Sequence, residues 1–415
     1  MTRPDVQLLP DRTGGPPLRR LLVLLLVSNT AMFALYHGVL SVLLPLQVQA
    51  VDPAAKTTNL ALVTGISALV AALANPLAGR LSDRTSGRFG RRTPWIVGGA
   101  VLSFGGMVLL GRADTVFAIL LGWSLVQATM NGYQAALTAV VPDRVPAWRR
   151  GVASALAGLG LPIGGVIGTV LAASQAHHLS RGYLLLGVGI VLAAVLFAVA
   201  AREPAVGPAE VTPKTGTVRA FLSCLADADV RWVFIGRLLL VLGHFVVATY
   251  NLYILQDFAH LTAGVSPAKA VALLSPVGAL SMIVAVVAGG VLSDRIGRRK
   301  PFVFASSAVA GLAGLIPLAW PTLPGMLVFA VVAGLAFGCF LAVDTALATL
   351  VLPSDDDAGR DLGVLNLALA GPQIVAPFAA SVIVAHLGGY PAIFVTGALL
   401  GVLGGVAILP VRRVR

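Results

Sequence analysis

Twelve apolar runs constrain this chain more than any other feature. They fall at roughly 21–48, 59–80, 94–112, 115–141, 151–173, 183–201, 232–256, 268–292, 301–320, 324–352, 362–387 and 391–410 of the 415 residues. Crossing the hydrocarbon core of a bilayer takes about 20 apolar residues per helix. Within lipid, each backbone polar group must find its partner inside the chain, which leaves helices or closed barrels. The expected fold class is therefore an all-α membrane protein of twelve transmembrane helices, with the lipid bilayer as its first partner. Composition agrees: 57% of residues are hydrophobic, 11% are charged, and the mean hydropathy is +0.91. A soluble domain carries about 25% charged residues and needs them to cover its cores. Arg19-Arg20 before Leu21-Leu22-Val23 has the look of a secretory leader. The apolar stretch runs on to about Val48, too long for a leader, so it is expected to be retained as the first span.

The net charge of +12 and pI near 10.6 resemble those of a nucleic-acid binder. The placement of the charges excludes that reading. They sit in short clusters between apolar runs, and topology accounts for them. With both termini on the cytoplasmic side, the inside segments hold 24 Lys and Arg and the outside segments 4, the asymmetry of the positive-inside rule. Arg outnumbers Lys by 25 to 4, and Ala, Gly and Val abound. That composition points to a GC-rich bacterial genome and a multi-pass protein of the bacterial cytoplasmic membrane. Cys224 and Cys339 suggest neither a disulfide framework nor a metal site. His177-His178 in an outer loop lack further ligands, so no metal and no cofactor are expected.

The longest polar stretch, 202–231, contains Pro204, Pro208 and Pro213 and reads as a linker. It separates an N-terminal six-helix bundle, 1–201, from a C-terminal one, 232–415. The two halves repeat. Gly79-Arg-Leu-Ser-Asp83-Arg84 returns 211 residues later as Gly290-Val-Leu-Ser-Asp294-Arg295. Each copy runs into a Gly-Arg-Arg triplet and a proline, Gly90-Arg91-Arg92-Thr-Pro94 and Gly297-Arg298-Arg299-Lys-Pro301. Val141-Pro142 returns as Leu352-Pro353 at the same offset of 211. Parallel six-helix repeats about an axis normal to the membrane are one plan for secondary transporters.

These paired loops resemble the signature loop of the major facilitator superfamily. The longer string from Ser82 to Trp95 is similar to the sugar–cation symporters of the glycoside-pentoside-hexuronide and sucrose-transporter type. Asp344-Thr-Ala, Leu352-Pro353 and Gly359-Arg360-Asp361-Leu362-Gly363 share that look. One departure is plain: sucrose symporters of this type are expected to carry an acidic residue in the first span, and residues 21–48 hold none.

The superfamily resemblance implies a cavity lined by the first, fourth, seventh and tenth spans, and polar residues concentrate on those four. The fourth carries Ser124, Gln127, Asn131, Gln134 and Thr138 at steps of three and four, one continuous polar face. Facing lipid, such a stripe would be costly. The seventh carries Arg237, His244 and Asn251 on one face, with Tyr250 beside it. The tenth carries Phe337, Phe340 and Asp344, and the first Tyr36 and His37. The competing explanation is interhelical hydrogen bonding as packing glue, which accounts for single residues better than for a five-residue stripe.

Asp344 is the only acidic residue inside a span. It lies nine residues before Pro353, about 13 Å from that helix end at 1.5 Å per residue. An intramembrane carboxylate marks a functional site by default. Asp344 is either a proton-coupling group, with His244 as its natural partner and His37 as a second candidate, or a structural carboxylate paired with Arg237 or His244. In the signature loops, Asp83, Arg84, Arg91, Arg92, Asp294, Arg295, Arg298 and Arg360 are expected to form gates. In that expectation Asp83 meets Arg360 at the start of the eleventh span, and Asp294 meets Arg149 or Arg150. Rows of small residues, Gly160, Gly164 and Gly168 in the fifth span and Gly278 with Gly290 in the eighth, are expected to form sliding surfaces between the halves. The Asp355-Asp356-Asp357 cluster reads as acidic residues at the positive end of a helix.

The absence of a Gly-x-x-x-x-Gly-Lys-[Ser/Thr] loop excludes ATP-driven pumping. The function expected from the sequence is secondary transport of a small solute by alternating access. It would be coupled to protons or another ion, act as a monomer, and take a sugar or glycoside in symport. Proton-driven efflux of a drug-like compound or secondary metabolite is the alternative. A polytopic membrane enzyme is a third, for which only the Asp355 cluster argues.

Overall fold

In the computed structural model of the chain, residues 18–203, 223–351 and 358–413 are described, with the side chains of Ser223 and of residues 358–360 left aside. Twelve long helices account for nearly all of it. They are α1 (Leu18–Val51), α2 (Lys56–Arg84), α3 (Thr93–Leu110), α4 (Val116–Arg144), α5 (Arg150–Ser174) and α6 (Leu179–Ala200) in the first half. The second half holds α7 (Ala228–Thr249, continued past Tyr250 by Asn251–Asp257), α8 (Pro267–Ile296) and α9 (Lys300–Ala319). It ends with α10 (Leu323–Leu350), α11 (Ala358–His386) and α12 (Gly389–Val406). An isolated β-bridge joins His260 and Thr322. Eleven of the twelve are long and apolar enough to cross a membrane. The exception is α4, long enough at 29 residues, whose polar stripe brings its hydropathy down.

Local chemistry sets the helix ends. The side chains of Thr115, Asp227, Ser266 and Thr322 accept the orphan backbone N–H groups at the starts of α4, α7, α8 and α10. Pro94, Pro267, Pro301 and Pro324 sit in first turns, where no N–H is needed. Pro45 lies inside α1 and has no N–H to give. The helix widens into a π turn over Val39–Leu43 just before it, with Leu44 N–H reaching Val39 O.

Helix neighbours repeat between the halves. In the first, α1 packs on α5 and α6, α4 on α2 and α3, and α3 on α6. In the second, α7 packs on α11 and α12, α10 on α8 and α9, and α9 on α12. Adding six to each helix number converts one list into the other. This is the pair of pseudo-symmetric six-helix bundles expected from the repeated loops. Across the halves, α2 meets α11 and α5 meets α8. These two lateral contacts leave α1, α4, α7 and α10 around a central seam.

The glycine rows do not lie between the halves. A Cβ at Gly164 would strike the Thr30 carbonyl of α1, and one at Gly168 the Ala34 carbonyl. The first part of the α8 row likewise faces α10, where Gly334 rests on Gly278 and Gly338 on Met282, while a Cβ at Gly290 would meet nothing. The close approaches thus hold each bundle together internally. The physical reason is that helices within a bundle stay packed throughout their length, and only such fixed contacts reward the loss of every Cβ. Of the linker, 204–222 lies outside the described residues, as do 355–357. At its far side α7 begins with Ala228, earlier than the expected 232.

Candidate functional site

On the first-half wall of the seam, an amide chain joins three helices. Asn75 of α2 donates from Nδ2 to Asn131 Oδ1 at 3.2 Å. Asn131 Nδ2 donates to the Gln127 carbonyl at 2.8 Å and to the Tyr36 hydroxyl at 3.3 Å. The Tyr36 ring meets Trp123 edge-on, with centroids 6.4 Å apart. Gln127 Oε1 and Trp123 Nε1 are buried without hydrogen-bond partners. Ser124, Gln134 and His37 are half-buried, and His37 lies beside Gly165 of α5.

The second-half wall carries the charge. Arg237 of α7 and Asp344 of α10 form an ion pair at 2.6 Å, with their side chains 3% and 2% exposed. Arg237 also donates to the Leu365 carbonyl of α11 at 3.2 Å and to the Asp344 carbonyl at 3.4 Å. Burying two charges is costly, and only close pairing with further hydrogen bonds offsets it. His244 does not partner Asp344. Its ring stacks on Phe337 at 4.1 Å, with Phe245 against its edge at 5.5 Å. An imidazole has no charge to neutralise Arg237, whereas the Asp344 carboxylate does, so the guanidinium takes the carboxylate and the imidazole takes the aromatic ring.

The two ends of the seam differ. At the end away from the signature loops, the halves are tied together. The Tyr250 hydroxyl gives its one proton to the Thr57 carbonyl of the other half at 2.7 Å, with the Pro377 carbonyl of its own half at 3.2 Å. The Tyr253 hydroxyl donates to the Pro45 carbonyl at 2.9 Å. Lys56 pairs with Asp257 at 2.7 Å and lies 4.9 Å over the Tyr253 ring, and Tyr390 donates to Asp257 at 2.8 Å. At the signature-loop end, the Arg92 and Arg299 guanidinium groups bind partners in their own halves. Arg92 there binds Asp83 at 2.7 Å, Asp143 at 2.8 Å and Ser82 Oγ at 3.0 Å, all in its own half. Burial works to lower the Arg92 pKa, but Asp143 and Asp83 outweigh it and raise the value above the ordinary range.

The Major Facilitator Superfamily profile matches residues 24–290 and again 233–415, together nearly the whole length. The chain belongs to the Major Facilitator Superfamily. It is accordingly a multi-pass membrane protein of a transporter family. Solved structures share its superfamily fold. A bacterial homologue of the human lysosomal transporter Spinster, inward-facing and unoccupied, superposes with a TM-score of 0.64 at 17% identity over 94% of both chains. A peptide transporter of the POT family bound to sulfate gives 0.74 at 15% identity, again over 94% of both chains. A POT family transporter bound to 5-aminolevulinic acid gives 0.73 at 14% identity, over 95% of this chain and 96% of that one. No curated protein sequence matches.

Within the superfamily fold, several sequence-predicted residues lie elsewhere than expected. Tyr250 is fully buried and closes the far end of the seam, and Asn251 opens the short second segment of α7. The break in α7 turns the Tyr250 side chain out of the face that carries Arg237 and His244. Phe340 is buried in the second bundle's core, 6.1 Å from Phe337. Asp83 binds Arg92 where Arg360 was expected, and the Arg360 side chain lies outside the described residues. Asp294 reaches Arg299 at 3.3 Å. Its expected partner Arg150 donates instead to the Val145 and Pro142 carbonyls at the end of its own half. Asp83 and Asp294 are each satisfied by an arginine of their own loop. Arg84, Arg295 and Arg298 are exposed, and Arg91 is half-buried.

Asn75, Trp123, Lys56, Tyr253, Asp257, Asp143 and Glu203 were missed by sequence reasoning. Asn75 had a signal: it is a polar residue just before Pro76 in the middle of an apolar span. Asp143 had one in the comparison of the halves, as an acid after Pro142 where Ser354 follows Pro353; the others had none, since they meet residues 111 to 208 positions away or, for Trp123, count simply as apolar.

Proposed function

We propose that the chain is a secondary active transporter working by alternating access, which binds a small polar solute in the seam and couples its passage to protons. The observation that carries this reading is the buried Arg237–Asp344 pair between α7 and α10, two of the four helices around the seam. Protonating Asp344 removes the charge that holds Arg237 and leaves the guanidinium on the Leu365 and Asp344 carbonyls alone. Arg237 spans α7, α10 and α11, so this change bears on how the second bundle's helices sit against one another. A two-state equilibrium responds only to such differential interactions. If the positive-inside distribution sets the orientation, the signature loops and both termini face the cytoplasm of a bacterial cell. The seam is then closed outside, and solute exchanges with the inside. Sugar or glycoside symport is the reading the amide wall and the Ser82–Trp95 string support best. Efflux of a drug-like compound is the second reading, favoured by the aromatic surface of stacked His244 and Phe337.

The test uses proteoliposomes with an imposed pH gradient, a panel of labelled neutral mono- and disaccharides, and ethidium as a drug-like probe. Saccharide accumulation that follows the pH step is expected. Asp344→Asn should abolish accumulation while energy-independent counterflow persists, because the amide stands in for the protonated acid and still accepts from Arg237. Unchanged accumulation in Asp344→Asn would overturn proton coupling through this residue. Accumulation of ethidium alone would select efflux.

A further inference from the structure

The amide wall has a fixed polarity that follows from counting its hydrogens. The Gln127 backbone carbonyl can only accept, so the Asn131 atom bonded to it is the nitrogen, and Asn131 Oδ1 turns to Asn75, which donates to it. Both Asn131 N–H groups are then engaged, one by the Gln127 carbonyl and one by the Tyr36 oxygen. A phenol has a single proton. With its oxygen accepting from Asn131, Tyr36 keeps that proton to give, and no group among the described residues takes it. One helical turn from Asn131 lies Gln127 Oε1, and one turn further along α4 lies Trp123 Nε1–H, whose ring meets that of Tyr36 edge-on. Both are unpartnered, in side chains 8% and 0% exposed. Buried polar groups are almost always paired, and each exception calls for an explanation. Here a donor and an acceptor without partners flank a tyrosine whose proton is uncommitted.

We propose that Tyr36, Trp123 and Gln127 form a subsite for the hydroxyl groups of a neutral polyhydroxylated solute, and that Asn75 is the positioning residue that holds the Asn131 amide in place behind it. This deepens the transport reading above and rests on it. A hydroxyl both accepts and donates. It can take the Tyr36 or Trp123 hydrogen and give its own to Gln127 Oε1, so adjacent hydroxyls on one ring satisfy all three. A carboxylate satisfies the two donors but meets the Gln127 oxygen as a second acceptor. An ammonium finds one acceptor and two opposing donors. The charges that could serve a zwitterion, Arg237 and Asp344, are committed to each other. The opposite wall offers the stacked His244 and Phe337 rings as a flat surface for the C–H face of a sugar ring. The specificity therefore differs from that of a carrier of zwitterionic peptides sharing the fold.

The experiment measures thermal stabilisation of the full-length purified protein by neutral mono- and disaccharides, by their deoxy analogues, and by dialanine at matched concentrations. Neutral saccharides should stabilise it and dialanine should not. For a saccharide that binds, one deoxy analogue should bind about tenfold or more weakly, the effect of about one hydrogen bond to a buried group. Tyr36→Phe should weaken the parent sugar about tenfold and erase the difference between parent and deoxy analogue. A merely structural Tyr36 would leave that difference in place. Trp123→Phe, which deletes only the donor, should behave likewise at another hydroxyl. Asn75→Ala should alter the preference between epimers, and Asn75→Gln, which keeps the amide donor, should restore it. The deoxy series on unaltered protein carries the test even if a variant fails to fold. Stabilisation by dialanine alone, by neither class, or equally by sugar and every deoxy analogue would overturn the subsite. Proton-driven accumulation of ethidium combined with no saccharide binding would overturn it while leaving the coupling intact. Saccharide binding without proton-driven accumulation would do the reverse.

Discussion

The two halves share one plan but bury their charge in different places. In the first, the buried charge is at the signature loop. Arg92, 6% exposed, is enclosed by Asp83, Asp143 and Ser82, while the Glu203 carboxylate accepts from the Arg92 and Thr93 N–H groups at the start of α3. In the second, the equivalent Arg299 is 26% exposed and touches Asp294, itself 73% exposed, at 3.3 Å. Ser293, the counterpart of Ser82, has a buried hydroxyl without a partner. Besides Asp229 and Asp361 near its helix starts, the second half buries an ion pair at mid-depth, Arg237–Asp344. Its counterpart between α1 and α4 is a neutral bond, the Tyr133 hydroxyl to the Ser28 carbonyl at 3.3 Å. Tyr133 stands 211 residues before Asp344, the offset of the repeated loops. One half thus holds its loop rigidly and its interior neutral, and the other leaves its loop open and charges its interior. A pseudo-symmetric frame needs such a difference if only one half is to respond to a proton.

The largest effect expected is at the buried pair. Asp344→Ala leaves Arg237 charged and unpaired and should cost about 3–5 kcal/mol of stability. Arg237→Met with Asp344→Leu should recover most of it, whereas Tyr133→Phe should cost about 1 kcal/mol. Denaturant unfolding of the purified proteins measures all three, and equal losses in the two halves would end the comparison. Next come the loops. Arg92→Ala should lose about 2–4 kcal/mol, because it strands Asp143 and Asp83 together. Arg299→Ala, whose contact is largely solvated, should lose under about 1 kcal/mol. Matching losses would mean that the loops are equivalent after all.

A smaller effect is expected where the halves meet. Lys56→Met removes the ion pair across the far end, worth about 1 kcal/mol or less for partly exposed groups. It should shift the balance toward the state open at that end by up to about fivefold. Spin-label distances between the starts of α2 and α8 would report it, and an unchanged distribution would remove the pair from the closure. The smallest belongs to Glu203→Gln. The amide oxygen still accepts from the start of α3, so the loss should stay near or below 1 kcal/mol, readable as a small drop in the unfolding midpoint. A loss as large as that of Arg92→Ala would make Glu203 part of the charged network.

Much of this was present in the sequence, for identifiable reasons. Twelve spans followed from the length of the apolar runs, since lipid tolerates no unpaired backbone. The six-plus-six division followed from two loop copies and two Val/Leu-Pro ends at one offset. Even the asymmetry of the loops can be read there: Asp143 follows Pro142, while Ser354 follows Pro353, so the second copy lacks the acid that encloses Arg92. The polar stripe on α4 marked Gln127 and Asn131 because helical periodicity turns spacing into a face. Spacing along one helix, however, says nothing about which neighbour that face meets. Asp344 had two candidate partners on one face of α7, seven residues apart, and packing chose Arg237 and gave His244 to Phe337. The glycine rows were visible, but their target was a matter of which helices stay in contact, α1 and α10 within each bundle. Tyr253–Pro45 and Lys56–Asp257 join residues about 200 positions apart. No local pattern encodes such contacts, because they exist only when two separately built bundles close on one another at one end.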